Sequence, residues 1–262
     1  MEVIIQPTKE AAALLTAKII AAGVRNNPSI VLGLATGATP EPVYANLIKM
    51  HKTEGLDFSL CKTFNLDEYV GLSGTHPGSY RYFMNDKLFN HINIDIRNTH
   101  VLNGLASDLE AECANYEEEI WNNGGIDLQL LGIGLDGHIG FNEPMSSLQS
   151  LTRVKQLNPV TIRQNAMYFG GEDKMPRRAL TMGIGTILET KQCLMLATGA
   201  SKADILAEAV EGPFCAKVTA SALQWHRHAI IIVDEAAASK LENKEYYHWA
   251  FNNAPEWAPF RA

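Results

Sequence analysis

Short apolar bursts alternate along the chain with longer stretches in which apolar residues recur every third or fourth position. That alternation predicts the strands of a parallel sheet covered by helices. Thr8 to Val24 has helical spacing, with Ala12, Leu15 and Ile19 on one face. Ser29 to Leu34 reads as a buried strand. The turn-rich stretch Ala35-Thr36-Gly37-Ala38-Thr39-Pro40 follows it. Glu41 to Met50 then reads as a helix that tolerates proline in its first turn. Lys62 to Leu66 is a short strand ending in Asp67-Glu68. Ser107-Asp108-Leu109-Glu110 has the form of a capping box, and Leu109, Cys113, Tyr116 and Ile120 continue a helical stripe. Ile126–Ile133, Cys193–Thr198 and His228–Val233 are further strands, and Ala203–Val210 is a helix. The weak periodicity from Leu148 to Met175 predicts a mobile flap, and Tyr246 to Ala262 reads as aromatic but irregular. The expectation is one Rossmann-like α/β domain over residues 1–262, with a doubly wound, mainly parallel sheet and helices on both faces.

A length of 262 residues suits one large domain of that class. With 46% hydrophobic and 19% charged residues, the chain can bury a full core and lacks the signature of disorder. A formal net charge of -7 and the lack of a long basic run argue against a broad nucleic-acid surface, so an anionic ligand has to be held by a local pocket. Cys61, Cys113, Cys193 and Cys215 lie far apart without a Cys-x-x-Cys pair. They signal neither zinc nor a disulfide framework, and read as reduced and mostly buried. No run approaches the ~18 apolar residues of a membrane helix, and no basic segment leads an apolar one at the N-terminus. The expected setting is the cytoplasm.

In an open parallel sheet, ligands collect beyond the carboxyl ends of the strands, so the polar residues there are the first candidates. From Gly33 to Pro40 a strand leads through a Gly/Thr-rich turn into a helix. Free N–H groups at such a turn suit a phosphate, though an ordinary strand–helix turn has the same composition. No P-loop lysine is present, which favours a small phosphorylated substrate over a nucleotide. Gly199 to Lys202 repeats the arrangement with one cation, whose plain alternative is a solvated lysine. Asp67-Glu68 at a strand end is either a partly desolvated general base or a solvated pair of acids. The densest polar stretch is Gly132 to Pro144, where Asp136, His138 and Glu143 fall in one turn after a buried strand. A histidine flanked by carboxylates is held in one tautomer and can move a proton near neutral pH. Gly132, Gly134 and Gly137 also match G-x-G-x-x-G. Pro144 interrupts the helix that a dinucleotide site needs, and positions 155–159 contain no acid. His226 and His228 form His-x-His without a third ligand nearby, and read as a surface feature.

Thr36-Gly37-Ala38-Thr39-Pro40, Asn65-Leu66-Asp67-Glu68-Tyr69-Val70-Gly71-Leu72 and Gly134-Leu135-Asp136-Gly137-His138-Ile139-Gly140-Phe141-Asn142-Glu143-Pro144 together resemble the glucosamine-6-phosphate deaminases. The order and spacing match as well, over nearly the whole chain, fading after about Lys244. The resemblance implies that glucosamine 6-phosphate is opened, isomerised and deaminated to fructose 6-phosphate and ammonia, a hydrolase reaction at a C–N bond. It implies His138 as the ring-opening acid/base, Asp136 and Glu143 as its orienting carboxylates, and Asp67 as the base at C2. Thr36, Gly37, Ala38, Thr39 and Lys202 would hold the phosphate. The substrate's own carbonyl serves as the electron sink, so neither a metal nor an organic cofactor is expected.

Many members carry an arginine in an Asn-x-Arg-Phe-Phe string that assists the phosphate. Here the string reads Asn165-Ala166-Met167-Tyr168-Phe169, and Arg163 is the substitute if the segment is helical. This departure keeps a galactosamine-6-phosphate deaminase open as an alternative. Ser147, Arg153 and Lys155 match the family's allosteric positions, while the C-terminal tyrosine position reads His248 with Tyr247 beside it. The resemblance thus implies a homo-oligomer, a hexamer, with N-acetylglucosamine 6-phosphate as effector where subunits meet. Two rivals remain. The related 6-phosphogluconolactonases share the fold and a Gly-x-Asp-Gly-His turn, but lack Phe-Asn-Glu-Pro after the histidine. A non-catalytic sugar-phosphate sensor would leave Asp67, His138 and Glu143 idle.

Overall fold

Parallel neighbours need long crossovers, and the amphipathic stretches supply them. The computed structural model describes residues 1–261. In chain order its strands are β1 (Glu2–Gln6), β2 (Val31–Leu34), β3 (Lys62–Asn65), β4 (Asp67–Tyr69), β5 (Thr99–His100), β6 (Leu128–Leu131), β7 (Arg153–Gln156), β8 (Arg178–Thr181), β9 (Gln192–Ala197) and β10 (Ala229–Asp234). The α-helices are α1 (Lys9–Asn26), α2 (Glu41–Glu54), α3 (Tyr80–Lys87), α4 (Leu109–Asn122), α5 (Pro159–Asn165), α6 (Ile184–Leu188), α7 (Ala203–Val210) and α8 (Lys244–Asn253). Seven strands form one sheet in the order β1-β10-β9-β6-β2-β3-β5, and every pairing in it is parallel. The doubly wound expectation holds. From β2 the chain proceeds outward through β3 to β5, and then returns to β6 on the other side of β2. The strand order therefore reverses between β2 and β6, which in such sheets is where a crevice opens.

Close packing at that reversal depends on one missing side chain. Gln129 of β6 is fully buried beside Gly33 of β2, and a Cβ built on Gly33 would lie 1.9 Å from the Gln129 Oε1. The amide Nε2 of Gln129 donates to the Leu130 carbonyl at 2.8 Å. Any larger residue at position 33 would have to displace the buried Gln129 amide.

A second sheet, β4-β8-β7, is antiparallel throughout. It grows from the carboxyl edge of the main sheet, because Leu66 donates to Leu34 and accepts from Met182 at the junction of β3 with β4. Its own small core holds Tyr69, Phe141, Leu157, Ile162, Met175 and Ala179, separate from the main apolar core.

Several expectations need correction. The stretch of weak periodicity, residues 148–175, contains regular structure, β7 and α5, because β7 finds its pairing partner in β8 rather than in its own periodicity. Helix α4 is capped by Asp108, whose carboxylate accepts from Glu110 and Ala111, and not through Ser107. The C-terminal stretch is regular: α8 is followed by a 3-10 helix, Pro255–Phe260, whose Trp257 is buried and donates to Glu2 Oε2 at 2.7 Å. His226 is buried, and its Nε2 meets the Thr190 carbonyl at 2.7 Å, so only His228 of that pair is a surface residue. Cys61, Cys113 and Cys193 are buried free thiols and Cys215 is half-buried, as expected. No helix among the described residues is long and apolar enough to cross a membrane.

Candidate active site

The ends of β2, β3, β6 and β9 feed one cleft of about 200 Å³. Its lining includes Thr36, Gly37, Ala38 and Thr39 after β2, Asp67 after β3, Gly134 and His138 after β6, and Lys202 after β9. Tyr80, Gln164 and Asn165 complete the wall. The residues expected from sequence to transfer protons and to hold phosphate thus reach the same space. Asp136 and Glu143 stand directly behind His138.

Asp67 opens β4, and its carboxyl is almost wholly removed from solvent. Burial first, and then the charge of Glu68, push its pKa well above the ordinary carboxylate value. Glu68 points away from the cleft. It accepts from Ser79 Oγ at 2.7 Å, Tyr80 N at 3.0 Å and Arg81 N at 3.1 Å, so it ties down the start of α3. This fixes Tyr80, whose hydroxyl donates to the Tyr69 hydroxyl at 3.2 Å. The sequence marks Glu68 as a candidate acid without showing this structural task.

The turn after β6 is shaped around an imidazole. A Cβ on Gly134 would fall 2.3 Å from His138 Cε1, so only glycine lets the ring lie across the strand end. His138 Nδ1 is 2.5 Å from Asp136 Oδ1 and 3.7 Å from Glu143 Oε2. With Nδ1 engaged by a carboxylate, Nε2 is the nitrogen left for a substrate. Burial works to raise the Asp136 carboxyl, but the hydrogen bonds and charge of His138, helped by the Asn158 amide, outweigh it and hold the group well below the usual range. The turn is pinned from behind: Phe141 N donates to Thr181 Oγ1 at 3.0 Å, Asn142 Nδ2 to the Met182 carbonyl at 2.8 Å, and Thr219 Oγ1 to the Asn142 carbonyl at 2.8 Å.

Asp136, His138 and Glu143 offer ligand atoms within 4.8 Å of one another, close enough for one ion. Those atoms already face hydrogen-bond partners, however. Nδ1 meets Asp136, and the Asn158 amide donates into the space between the two carboxylates.

At the opposite end, α2 begins at Glu41 after Pro40, which supplies no side-chain cap, so its first turn leaves N–H donors near Thr36–Thr39. Lys202 Nζ donates to the Ile133 carbonyl at 2.6 Å and is half-buried. Burial lowers its pKa, opposed by Asp136. Asp234 accepts from Gly199 N through both carboxylate oxygens, at 3.0 and 3.1 Å, and so fixes the loop that presents Lys202. Met167 is 77% exposed, and neither it nor Arg163 lines the cleft. The segment around Arg163 is helical, but it turns Gln164 and Asn165 inward instead.

Arg153 and Lys155 do share one strand, β7, at positions whose side chains lie on the same face. Arg153 Nη1 donates to Asn142 Oδ1 at 2.9 Å, so it braces the relay turn rather than pointing freely into solvent. Ser147 is exposed nearby on the chain.

The family model for glucosamine-6-phosphate isomerases and 6-phosphogluconolactonase matches residues 6–232. The chain belongs to that family. It is 50% identical over 247 residues to the glucosamine-6-phosphate deaminase of Shewanella woodyi, covering 94% of each chain. It is 52% identical over 247 residues to that of Cellvibrio japonicus, again covering 94% of each. A solved monomeric glucosamine-6-phosphate deaminase superposes with a TM-score of 0.90 at 46% identity, over 92% of this chain and 100% of that one. The 6-phosphogluconolactonase of Trypanosoma brucei superposes with a TM-score of 0.74 at 16% identity, over 92% of this chain and 98% of that one, which shows a shared fold alone. The monomeric relative shows that this fold does not require a hexamer.

Proposed function

We propose that this protein converts glucosamine 6-phosphate and water to fructose 6-phosphate and ammonia, and is in class terms a hydrolase of a C–N bond. The carrying observation is that a buried carboxyl with raised proton affinity, Asp67, and a carboxylate-held imidazole, His138, line one small cleft. Relatives about half identical over nearly the full length carry the same activity in their names.

In this reading the phosphate lies against the Thr36–Thr39 turn, with Lys202 beside it. His138 takes the proton from the C1 hydroxyl and returns it to the ring oxygen, which frees the aldehyde. The aldehyde acidifies C2–H, and Asp67 removes that proton. The C2–H electrons form C1=C2 while the carbonyl oxygen takes up a proton, giving an enolamine. The nitrogen lone pair then forms C2=N as the C1=C2 electrons take the proton back from Asp67 at C1, leaving a C1 hydroxyl and a protonated imine at C2. Water adds to C2 and ammonia departs. Incubation with glucosamine 6-phosphate and, separately, with its galacto epimer, measuring ammonia and ketose phosphate, tests both the reaction and the epimer. Release of neither product from either sugar would refute the reading.

Lys202→Ala should raise KM at least about tenfold and change kcat far less. A phosphate remote from C1 and C2 contributes mainly uniform binding. An unchanged KM would place the phosphate elsewhere.

The assignment of Ser147, Arg153 and Lys155 to an effector site for N-acetylglucosamine 6-phosphate, formed between subunits, is part of the same proposal. It requires an oligomer with a sigmoidal substrate curve that the effector makes hyperbolic. Lys155→Ala should abolish that response. It is the cleaner variant, because Arg153 also holds Asn142. A monomer with hyperbolic kinetics, indifferent to the effector, would remove the assignment.

A further inference from the structure

Four hydrogen bonds to the side chain of Asn158 fix which way its amide faces. Its Oδ1 accepts from Val160 N at 2.6 Å and Thr161 N at 3.0 Å, capping α5. The NH2 group must therefore point the other way. There it donates to Asp136 Oδ2 at 3.0 Å and to Glu143 Oε2 at 2.6 Å. Its backbone N–H donates to Glu143 Oε1 at 3.2 Å. One residue thus begins the helix that carries Gln164 and Asn165 into the cleft, and also holds both carboxylates that face His138.

We propose that Asn158 is a positioning residue that locks the Asp136–His138–Glu143 relay to helix α5, so that proton transfer and one wall of the substrate cleft are set in place together. The proposal rests on the reading of His138 as the ring-opening group. Two carboxylates so close to one imidazole repel each other. Without a donor between them, they relieve the repulsion by rotating apart or by binding a proton. The two N–H bonds of a neutral amide oppose both outcomes without adding charge. They leave His138 Nδ1 engaged by Asp136 and aim Nε2 outward. The amide's other end is pinned by backbone donors, so a displacement of α5 carries the relay carboxylates with it.

The decisive variant is Asn158→Ser, with Asn158→Thr as a second should the first fold poorly. Serine and threonine cap helices nearly as well as asparagine, but neither can supply the two-hydrogen clamp. Displacement of a reacting group by about 1 Å can cost ~10²-fold. Asn158→Ser is accordingly expected to lower kcat by roughly 10- to 100-fold. KM should stay within about twofold of wild type and the melting temperature should stay close to it, because the phosphate end of the cleft and the cap are both retained. The loss should also shrink in a Glu143→Gln background, since groups acting as one unit are not additive. Wild-type kcat in a folded Asn158→Ser, with only Asn158→Ala impaired and less stable, would reduce Asn158 to a helix cap. A loss fully additive with Glu143→Gln would equally overturn the coupling. Failure of the ring-opening reading has a separate signature. His138→Gln would then slow cyclic and open-chain substrate alike, while Asn158→Ser remained non-additive with Glu143→Gln.

Discussion

Asp67→Asn should lose turnover by ~10²–10⁴-fold or more while substrate still binds. The amide keeps the shape of the carboxyl but cannot accept the C2 proton, so solvent-deuterium exchange at C2 should vanish together with ammonia release. Wild-type exchange in the variant would exclude Asp67 as the base. The same substitution should stabilise the fold. A carboxyl whose folded pKa lies above its unfolded one favours folding only below the unfolded value, and loses that advantage as pH rises through the folded one. Burial has raised Asp67 in this sense, so keeping it ionised costs about 1.4 kcal/mol for every tenfold gain in its proton affinity. At pH 7 Asp67→Asn should therefore melt above wild type, and the gap should close below about pH 4, where aspartate is protonated in both states. An active site that gains stability on losing its base is the usual trade between function and stability.

His138→Gln should slow reaction of the cyclic sugar phosphate by ~10²–10⁴-fold, the usual worth of a positioned acid/base. Reaction from the open-chain form should be much less affected. Glutamine can still reach Asp136 and fill the space over Gly134, but it cannot pass a proton between the C1 hydroxyl and the ring oxygen. The comparison is made by mixing enzyme with substrate whose open-chain fraction has been raised, and following C2–H exchange before the anomers re-equilibrate. Equal slowing of both forms would leave His138 with an electrostatic role and no part in ring opening.

The strands that build the site were legible because each is a short buried run. Residues 31–34, 128–131 and 192–197 are almost wholly apolar or removed from solvent. Their polar successors, Thr36, His138 and Lys202, stood out for the same reason, as did Asp67 after β3. The small antiparallel sheet was not legible. β4 has three residues and follows β3 after a single intervening one, so its hydropathy merges with the preceding strand. β7 is polar or half-buried along its length, and only its pairing with β8 makes it a strand. Asn158 was missed despite a readable signal, an asparagine immediately before a proline, which marks a helix start. Its second task could not be read, because the donors to Asp136 and Glu143 come from a residue 22 and 15 positions away. Nor could sequence show which of His226 and His228 turns inward. That is settled by the Thr190 carbonyl, 36 residues earlier.

The pairing of β1 with β10 has a consequence for how the protein is made. Glu2 lies opposite Ile230 and Gln6 opposite Asp234, so β1 leaves the ribosome long before β10, its one sheet neighbour among the described residues. The gap of 228 residues between Glu2 and Ile230, at ~5–20 residues per second, leaves β1 waiting for about ten to forty-five seconds. Its Val3-Ile4-Ile5 run, buried in the finished sheet, is exposed throughout that interval unless something holds it. Synthesis of this fold thus carries a built-in period of aggregation risk. Placing residues 1–6 after β10 in the chain, by circular permutation, should shorten that period, and none of those residues lines the cleft.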